Sequence, residues 1–577
     1  MYRIHETEVL VVGSGGAGCR AALEAFHEGA QVTLITKGRF GKSGTTAFRV
    51  ADTAGYNLAD GAVDPEDNPG VHFEDIVRAG KGMAYEELAH ILATEGLETG
   101  TYLESLGVHF ERDSSANHPI EVIGCFASRP RMHILKDHGK QIINALVPEI
   151  EKSAIDVIER TTICELLVSD GVCAGALGIS PKGDLEVFKA KTVVLGCGGA
   201  GQLFKYTLTP PDITGDGYGL GLRAGAQLVN MEFMQVVLGT LRPTRNQFNT
   251  FLWCARPPLL NAAGESVLKT YLPDGLTEEE CMHDKSTHFP FSTCDRSRFI
   301  EIAVQQEALG SESNTEKGVY IDLTGVTDDA VAALPAESPL PKVWPIVREF
   351  MAKRGFAIER EPVPVACFAH AINGGLKIDV NGQTTLPGLY AAGEVAGGPH
   401  GADRLGGNML LSCQVFGARA GRSAARCAAE TDYTVFPEEQ AKEAVERLDT
   451  LKEQHGTVKV QYLKRRLQEA MWKGVLVVRS ERKLKRTLNA LAEIRADLSE
   501  VHVASTNDLK SFLELENLID VGVAISRAAL HRKESRGSHY REDFPTIDSK
   551  WEKRILIGYS NGQIFEQVEP TRKATST

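Results

Sequence analysis

The sequence lacks several features that would assign it to a common class of protein at once. No stretch approaches the roughly 18 consecutive apolar residues of a membrane-spanning helix. Acidic residues outnumber basic ones by 76 to 63, and the net charge of −13 argues against broad binding to nucleic acid. No internal repeat or low-complexity tract stands out in the 577 residues. We therefore expect a globular protein of two or three domains.

A secretion signal is also missing at the start, where the first predicted strand begins within a few residues. We expect a cytoplasmic protein, or one held at the inner face of a membrane only through its partners. The 11 cysteines are scattered, without the Cys-x-x-Cys spacing that is typical of zinc and iron–sulfur sites. This pattern predicts reduced core thiols and no metal site. Any iron–sulfur cluster that exchanges electrons with the chain would then belong to another polypeptide.

The most informative stretch lies at residues 8–18, which read Glu-Val-Leu-Val-Val-Gly-Ser-Gly-Gly-Ala-Gly. The aliphatic run is typical of a buried parallel strand, and Gly13-x-Gly15-x-x-Gly18 is the tight turn that brings a pyrophosphate to a helix N-terminus. Glycines suit this turn because the backbone must approach the phosphates without Cβ atoms in the way. The sequence therefore predicts a dinucleotide site built from Gly13, Ser14, Gly15, Gly16, Ala17 and Gly18.

The kind of dinucleotide follows from the end of the second predicted strand, at residues 31–36. An Asp or Glu about 20 residues after the glycines would bind the ribose of NAD. The chain has Thr36-Lys37 at this place, and the Thr36 hydroxyl can still reach a ribose. NAD is therefore disfavoured, and we predict a flavin dinucleotide.

Later segments continue this pattern and then depart from it. Residues 37–47 form a polar, glycine-rich loop suited to lie against a flavin, and residues 192–201 read as a second buried strand that ends in glycines. Residues 236–355 lack the strand–helix rhythm, which indicates an inserted domain over the site. The chain from residue 437 is charged and helical. Its last loop, residues 531–543, looks too polar for a core.

Together these pieces resemble the fumarate reductase and succinate dehydrogenase flavoprotein family. Its motifs appear in order along nearly the whole chain, and residues 400–408 (His-Gly-Ala-Asp-Arg-Leu-Gly-Gly-Asn) and 532–537 (Arg-Lys-Glu-Ser-Arg-Gly) are the most specific of them. The resemblance implies an α/β fold with a Rossmann-like FAD-binding domain in two parts, residues 1–235 and 356–432. It also implies an α+β capping domain, residues 236–355, and a C-terminal helical domain with a tail, residues 433–577.

The resemblance also implies hydride exchange between flavin N5 and a carbon–carbon bond activated by a carboxylate. By position, Arg404 should bind the substrate carboxylate and His370 should be a second donor. Arg296 should be the proton donor, with Arg298 as the rival choice. Beyond the N-terminal turn, the implied FAD-binding residues are Thr36, Lys37, Ser43, Gly44, Thr45, Gly198, Gly199, Asp216, Gly393, Glu394, Arg404, Asn408, Leu410 and Leu411.

Three departures from the family pattern bear on the chemistry. Members with covalent flavin carry a histidine where this chain has Gly44, so we expect noncovalent FAD and a bias towards reduction. Val236-Val237-Leu238 replaces a His-Pro-Thr element, and residues 252–258 lack the glutamate of a proton relay. A substrate with one carboxylate and an apolar group near Leu252 and Trp253 would fit these changes.

Three hypotheses about function follow from these residues. The leading one is a flavoprotein oxidoreductase that acts on a small unsaturated or saturated organic acid and exchanges electrons with a separate iron–sulfur subunit. The second is an oxidase similar to aspartate oxidase, in which oxygen takes the electrons. The third is an electron-relay subunit whose substrate site has decayed.

Overall fold

The central sheet of the protein grows from its N-terminal strand, Arg3–Val12. The computed structural model describes residues 3–48, 54–112, 119–310, 318–335 and 338–571. Val9, Leu10 and Val11 are fully buried, because the strand pairs in parallel with a neighbour on each side. An uninterrupted aliphatic run is what such a doubly covered strand requires.

Seven strands form this sheet, and its topology confirms the predicted Rossmann-like domain. Six of them lie in the order Asp156–Glu159, Val32–Thr36, Arg3–Val12, Leu185–Leu195, Val172–Ile179, Thr162–Ser169. The seventh, Leu389–Ala391, pairs in parallel with Leu185–Leu195, so the second part of the domain returns to the same sheet. Helix Asn408–Glu430 then packs along helix Gly16–His27, which brings the loop before residue 408 to the glycine turn.

The inserted unit is built on a five-stranded antiparallel sheet in the order Asn246–Gln247, Met234–Thr240, Val363–Ile372, Val319–Ile321, Leu259–Leu260. Strand Val363–Ile372 lies beyond the predicted boundary at residue 355. It is almost wholly buried, as is strand Val32–Thr36 of the central sheet, so its composition gives no sign of which unit it joins.

The C-terminal part is a helical bundle, as predicted, and it ends in a strand hairpin. This hairpin, Lys553–Ser560 and Gln563–Pro570, belongs to a second five-stranded sheet and pairs there with Leu228–Val229. The other two strands of that sheet are Gly375–Lys377 and Ala396–Gly397. Two short strands, Val478–Arg479 and Tyr540–Arg541, pair in parallel. A three-stranded sheet consists of Gly55–Asn57, Met132–Ile134 and Glu121–Val122.

The α-helices surround these sheets, and none in the described ranges is long and apolar enough to cross a membrane. They are Gly16–His27, Pro69–Gly80, Glu86–Thr94, Gly96–Ser105, Lys140–Lys152, Asp216–Arg223, Leu268–Tyr271, Glu278–Lys285, Arg298–Gly310, Asp328–Ala332, Leu340–Ala352, Asn408–Glu430, Glu438–Lys452, Val460–Gly474, Glu481–Ala496 and Thr506–His531. Short 3₁₀ turns lie at Thr45–Ala47, Gly201–Leu203, Thr250–Ala255, Gly393–Val395, Asp497–Glu500 and Ser549–Trp551.

Candidate active site

The glycine turn after the first strand is packed too tightly for any other residue. Gly13 has a φ of +106°, and a Cβ on it would lie 2.4 Å from the carbonyl oxygen of Gly196. A Cβ on Gly18 would lie 1.7 Å from the carbonyl oxygen of Gly13. The turn therefore fits under the neighbouring strand end and leaves the N-terminus of helix Gly16–His27 facing an open space, where backbone N–H groups favour an anion.

That space is a cavity of about 560 Å³ between the central sheet and the inserted unit. Most of the predicted cofactor-binding residues line it: Gly13, Ser14, Gly15, Gly16, Ala17, Thr36, Lys37, Ser43, Gly44, Thr45, Gly198, Asp216, Gly393, Glu394, Arg404 and Leu410. Four others are not among the lining residues: Gly18, Gly199, Asn408 and Leu411.

The exceptions have structural partners of their own. The Asn408 carboxamide oxygen accepts a hydrogen bond from Asn57 Nδ2 at 2.6 Å and lies 3.0 Å from His72 Nε2. Leu411 is fully buried in the core, and a Cβ on Gly199 would clash with the Glu394 carboxylate. Asn408 and Leu411 therefore fix the first turn of helix Asn408–Glu430, whereas Gly199 leaves room for Glu394.

Lys37 lies at one end of the cavity and is held by acids. Its Nζ is 2.7 Å from Asp216 Oδ2 and 2.9 Å from Glu514 Oε1. Burial alone would lower the pKa of Lys37, but the attraction of these two carboxylates raises it. Lys37 stays a cation, and Asp216 and Glu514 already compensate its charge. The Thr36 hydroxyl is then the uncharged polar group at the end of this strand.

Arg404 and His370 face the cavity together, as the sequence predicted. Arg404 is 4% exposed, and its Nη2 donates to Gln235 Oε1 at 2.6 Å. Burial lowers the pKa of Arg404 to about 10, so the guanidinium is still charged at neutral pH. Its Nε has no hydrogen-bond partner, and no salt bridge reaches Arg404 from the part of the chain that the structure describes. The Glu394 carboxyl in the same cavity interacts with this charge but forms no ion pair with it. A buried cation without an ion-pair partner is suited to bind an anionic ligand.

His370 lies on strand Val363–Ile372, where Phe289 packs edge-on against its ring at a centroid distance of 5.7 Å. Burial, with the nearby Arg404 charge, lowers the pKa of His370 to about 3. Nδ1 of this imidazole has no hydrogen-bond partner among the described residues. His370 is therefore a neutral ring beside a fixed cation, able to exchange a hydrogen bond with a ligand in the cavity.

Arg296 and Arg298 are not brought to the cavity. The Arg296 side chain is 43% exposed, and its guanidinium pairs with Asp284 at 2.8 Å and Glu280 at 2.9 Å. Arg298 donates instead to the carbonyl oxygen of Thr293 at 2.8 Å. The acidic helix Glu278–Lys285 holds Arg296 at the surface, so the structure does not unite it with His370 and Arg404.

The inserted unit instead brings His288 to the cavity, a residue that the sequence analysis missed. His288 Nε2 lies 2.7 Å from Asp295 Oδ2, and Nδ1 lies 2.9 Å from the carbonyl oxygen of Pro290. A carbonyl only accepts, so Nδ1 donates its proton to Pro290. Burial would raise the pKa of Asp295, but its hydrogen bonds with His288 and Ser297 and the attraction of His288 lower it. Asp295 is therefore a carboxylate that faces Nε2 of His288.

Leu252 and Trp253, which were expected to lie near an apolar group of the substrate, do not face the cavity. Both side chains are buried, at 1% and 2% exposure, and neither lines the cavity. Trp253 packs against Phe248 in the core of the inserted unit. Gln247, Thr250 and Phe251 line the cavity instead, and Gln247 Oε1 and Thr250 Oγ1 are buried without a hydrogen-bond partner in the described ranges. This wall therefore offers polar atoms to a ligand.

These features fit a bound dinucleotide. The glycine turn supplies close backbone N–H groups for a pyrophosphate, and Thr45 Oγ1 is a buried polar atom with no partner in the described residues. Glu394 lies farther along the cavity, where it accepts a hydrogen bond from the Ile372 N–H at 3.1 Å. Burial raises the pKa of Glu394 to about 7, so this carboxyl can also donate a hydrogen bond near neutral pH.

Comparison with known proteins identifies the family. Residues 8–410 match the family model for a FAD binding domain, and residues 464–574 match the model for the fumarate reductase flavoprotein C-terminus. A fumarate reductase (CoM/CoB) chain from Methanothermobacter marburgensis is 35% identical over 563 residues, which cover 96% of this chain and 97% of that one. The chain belongs to the fumarate reductase and succinate dehydrogenase flavoprotein family.

Other members of the family are similar at lower identity. An L-aspartate oxidase from Nostoc is 28% identical over 576 residues, covering 95% of this chain and 93% of the relative. Among solved structures, Mycobacterium smegmatis Sdh1 aligns with a TM-score of 0.85 at 28% identity, covering 100% of this chain and 96% of its own. The FrdA chain of quinol fumarate reductase from E. coli aligns with a TM-score of 0.83 at 26% identity, and the alignment covers 100% of this chain and 98% of FrdA. The chain is thus a FAD-dependent oxidoreductase, and the predicted cofactor is confirmed.

Proposed function

We propose that this protein is the flavoprotein subunit of an electron-transfer complex that reduces the carbon–carbon double bond of a small unsaturated organic acid. The observation that carries the proposal is the buried guanidinium of Arg404, which faces the cavity without a carboxylate partner among the described residues. A substrate carboxylate would supply that partner. His370, neutral and adjacent, would donate the second hydrogen bond to that carboxylate and so fix the orientation of the substrate.

Reduction of such a bond places a hydride on one carbon and a proton on the other. Bound FAD supplies the hydride from its N5 atom. We assign the proton to the pair of His288 and Asp295 at the cavity wall: the proton between His288 Nε2 and Asp295 would pass to the substrate carbon, and the pair would then be reprotonated from solvent. Arg404 would orient the acid and draw electron density towards the carboxylate. The inserted unit would exclude water, because it carries His288 and Phe289 over the site.

The attachment of FAD is the first testable part of this proposal. Gly44 lines the cavity with a φ of +83° and has no side chain that could bond to the flavin. We expect that acid precipitation of the purified protein leaves all FAD in the supernatant, as measured by its absorption spectrum. Flavin that pellets with the polypeptide would contradict noncovalent attachment.

The need for a separate electron donor supports an iron–sulfur partner. The 11 cysteines are all free thiols, and seven of them are buried. Among the described residues, no group of three or more potential ligands contains a cysteine. Relatives named as succinate dehydrogenase flavoprotein subunits, and one named as part of a fumarate reductase, support a role within a complex.

Purification from the native host tests the complex directly. We expect a second polypeptide to co-elute with the flavoprotein and to contain iron and acid-labile sulfide in stoichiometric amounts. An affinity tag on the flavoprotein, with iron measured in each fraction under anaerobic conditions, provides the readout. Elution of the active flavoprotein alone and free of iron would contradict the proposed partner.

An oxygen-using enzyme is the second candidate, and the similarity to L-aspartate oxidases along nearly the whole chain favours it. Such an enzyme would form hydrogen peroxide in proportion to the amino acid or organic acid that it oxidises, without any partner. Peroxide measured in air on the isolated flavoprotein separates the two candidates, because the proposed reductase forms none in proportion to substrate.

A further inference from the structure

A cluster of ligand-type side chains lies behind one wall of the active-site cavity, on the three-stranded sheet. Val122, Met132 and Ile134 from this sheet line the cavity. Successive side chains of a strand point to opposite faces, so Glu121 and His133 lie on the other face. Asp60 joins them from the segment that follows strand Gly55–Asn57. The cluster is therefore separate from the flavin and substrate sites.

The three side chains converge on one point. His133 Nε2 lies 3.1 Å from Glu121 Oε1 and 3.5 Å from Asp60 Oδ2, and the three ligand atoms lie within 4.8 Å of one another. The side chains of His133 and Glu121 are only 3% and 1% exposed. Although their facing atoms are close, neither His133 Nε2 nor Glu121 Oε1 makes a hydrogen bond within the described residues.

The two separations measured from His133 match the spacing of atoms around a shared metal ion. Ligands about 2.0–2.2 Å from a zinc ion, in tetrahedral or octahedral arrangement, lie about 2.8–3.6 Å from one another. One imidazole nitrogen with two carboxylate oxygens is a ligand set for a divalent transition-metal ion. The Asp60 side chain is 34% exposed, which gives the ion a path from solvent and room for a water ligand.

The basic residues near the cluster do not occupy it. Neighbouring arginines are already engaged: Arg129 pairs with Asp64 and Glu66, and Arg131 pairs with Asp67 and Asp75. In the described ranges, Asp60 and Glu121 form ion pairs with no basic residue other than His133. The two carboxyl groups therefore remain available as ligands for a cation.

We propose that Asp60, Glu121 and His133 bind one divalent transition-metal ion of the zinc type, which joins the three strands behind the cavity. The proposal departs from the expectation of no metal, which rested on cysteine spacing alone. The ligands are carboxylates and an imidazole from three separate segments, a pattern that a search for Cys-x-x-Cys does not detect. The proposal does not depend on the proposed function, because the ion would not contact the flavin or the substrate.

Metal binding by the purified full chain tests the site. The protein is stripped with a chelator and loaded with Zn²⁺, and the retained metal is measured after desalting. A parallel titration with Co²⁺ is followed by visible absorption. We expect one ion per chain. His133→Gln and Asp60→Asn should each weaken binding by at least about tenfold, because even the loss of a residue that only supports a ligand costs about 10–100-fold.

The chain offers a matched control in the pair His5 and Glu186. Their facing atoms are 3.4 Å apart and also lack hydrogen bonds, but no third ligand joins them in the described part of the chain. His5→Gln should bind Zn²⁺ as the unaltered protein does.

If the His133→Gln variant does not fold, the Asp60→Asn variant still tests whether the cluster binds the ion, because the Asp60 side chain is partly exposed. The proposal fails if the stripped protein retains no ion or both ligand variants bind normally. It also fails if the Co²⁺ spectrum has an intense thiolate band, which would place the ion on cysteine.

Discussion

Replacing Arg404 with alanine should lower kcat/KM for any small organic acid by about 10²–10³-fold or more. Truncation of one partner of a buried, hydrogen-bonded charge pair costs about 2–5 kcal/mol, and each 1.36 kcal/mol is a tenfold change in rate. Arg404 is buried and charged, and in the proposed complex it is the cation that receives the substrate carboxylate. Steady-state reduction of unsaturated acids with a reduced viologen dye measures the effect.

Two further variants make the Arg404 result specific. Arg404→Lys keeps the charge but loses the planar fork, so we expect an intermediate loss of activity. Arg426→Ala removes an arginine that is 65% exposed and pairs with Glu28 at the surface, and its kinetics should be unchanged. FAD content must be measured for each variant, because Arg404 also lines the flavin cavity. An Arg404→Ala protein that binds FAD and reduces the acids normally would contradict the assignment of Arg404 as the group that binds the substrate carboxylate.

His288→Gln should lower the rate of double-bond reduction by about 10²–10⁴-fold, the usual contribution of a positioned general acid. Glutamine can still donate a hydrogen bond to Asp295, but it has no acidic proton to deliver. Reduction of the flavin by dithionite requires no proton from His288, so its rate should be retained. Stopped-flow measurement of the two half-reactions distinguishes these effects.

His283 and Asp295 provide the comparison for this variant. His283 is exposed on the helix next to the cavity wall, and His283→Gln should behave as the unaltered protein does. Asp295→Asn removes the carboxylate that faces His288 Nε2, so we expect the rate of double-bond reduction to fall in this variant as well. Normal reduction rates in both His288→Gln and Asp295→Asn would rule out His288 as the proton source.

Much of the flavin site could be predicted from the sequence because its requirements are local. A backbone clash within one turn fixes Gly18, the φ of +106° favours glycine at Gly13, and that turn lies next to the strand that precedes it. The same holds for Arg404, whose loop immediately precedes helix Asn408–Glu430. Where a function depends on backbone geometry over a few residues, the pattern of residue types carries the information.

Which residue of the inserted unit reaches the cavity could not be predicted in this way, because it depends on distant charges. Arg296 has the expected position before a helix, but Asp284 and Glu280 on a preceding helix hold it at the surface. His288 reaches the cavity through a short segment without regular secondary structure, and its partner Asp295 lies seven residues later. No periodicity in the sequence connects these two residues, so only their geometry identifies them.

For the loop at residues 531–543, the polar composition predicted the burial of the side chains incorrectly. It looked too polar for a core, yet Arg532, Glu534, Arg536 and Arg541 are buried. Arg532 Nε lies 2.7 Å from Glu232 Oε1, and Glu534 accepts from both Arg532 and Arg536. Charges can occupy a core when each one is paired, and the partner Glu232 is 300 residues away in the chain.

The most direct test of the central claim is anaerobic reoxidation of the dye-reduced protein by matched pairs of compounds, each an unsaturated acid and its primary amide. The account predicts that at least one acid reoxidises the flavin rapidly. Its amide should fail, because it cannot pair with the Arg404 cation. Equal rates with acid and amide, or reoxidation by oxygen alone, would contradict a carboxylate-binding reductase.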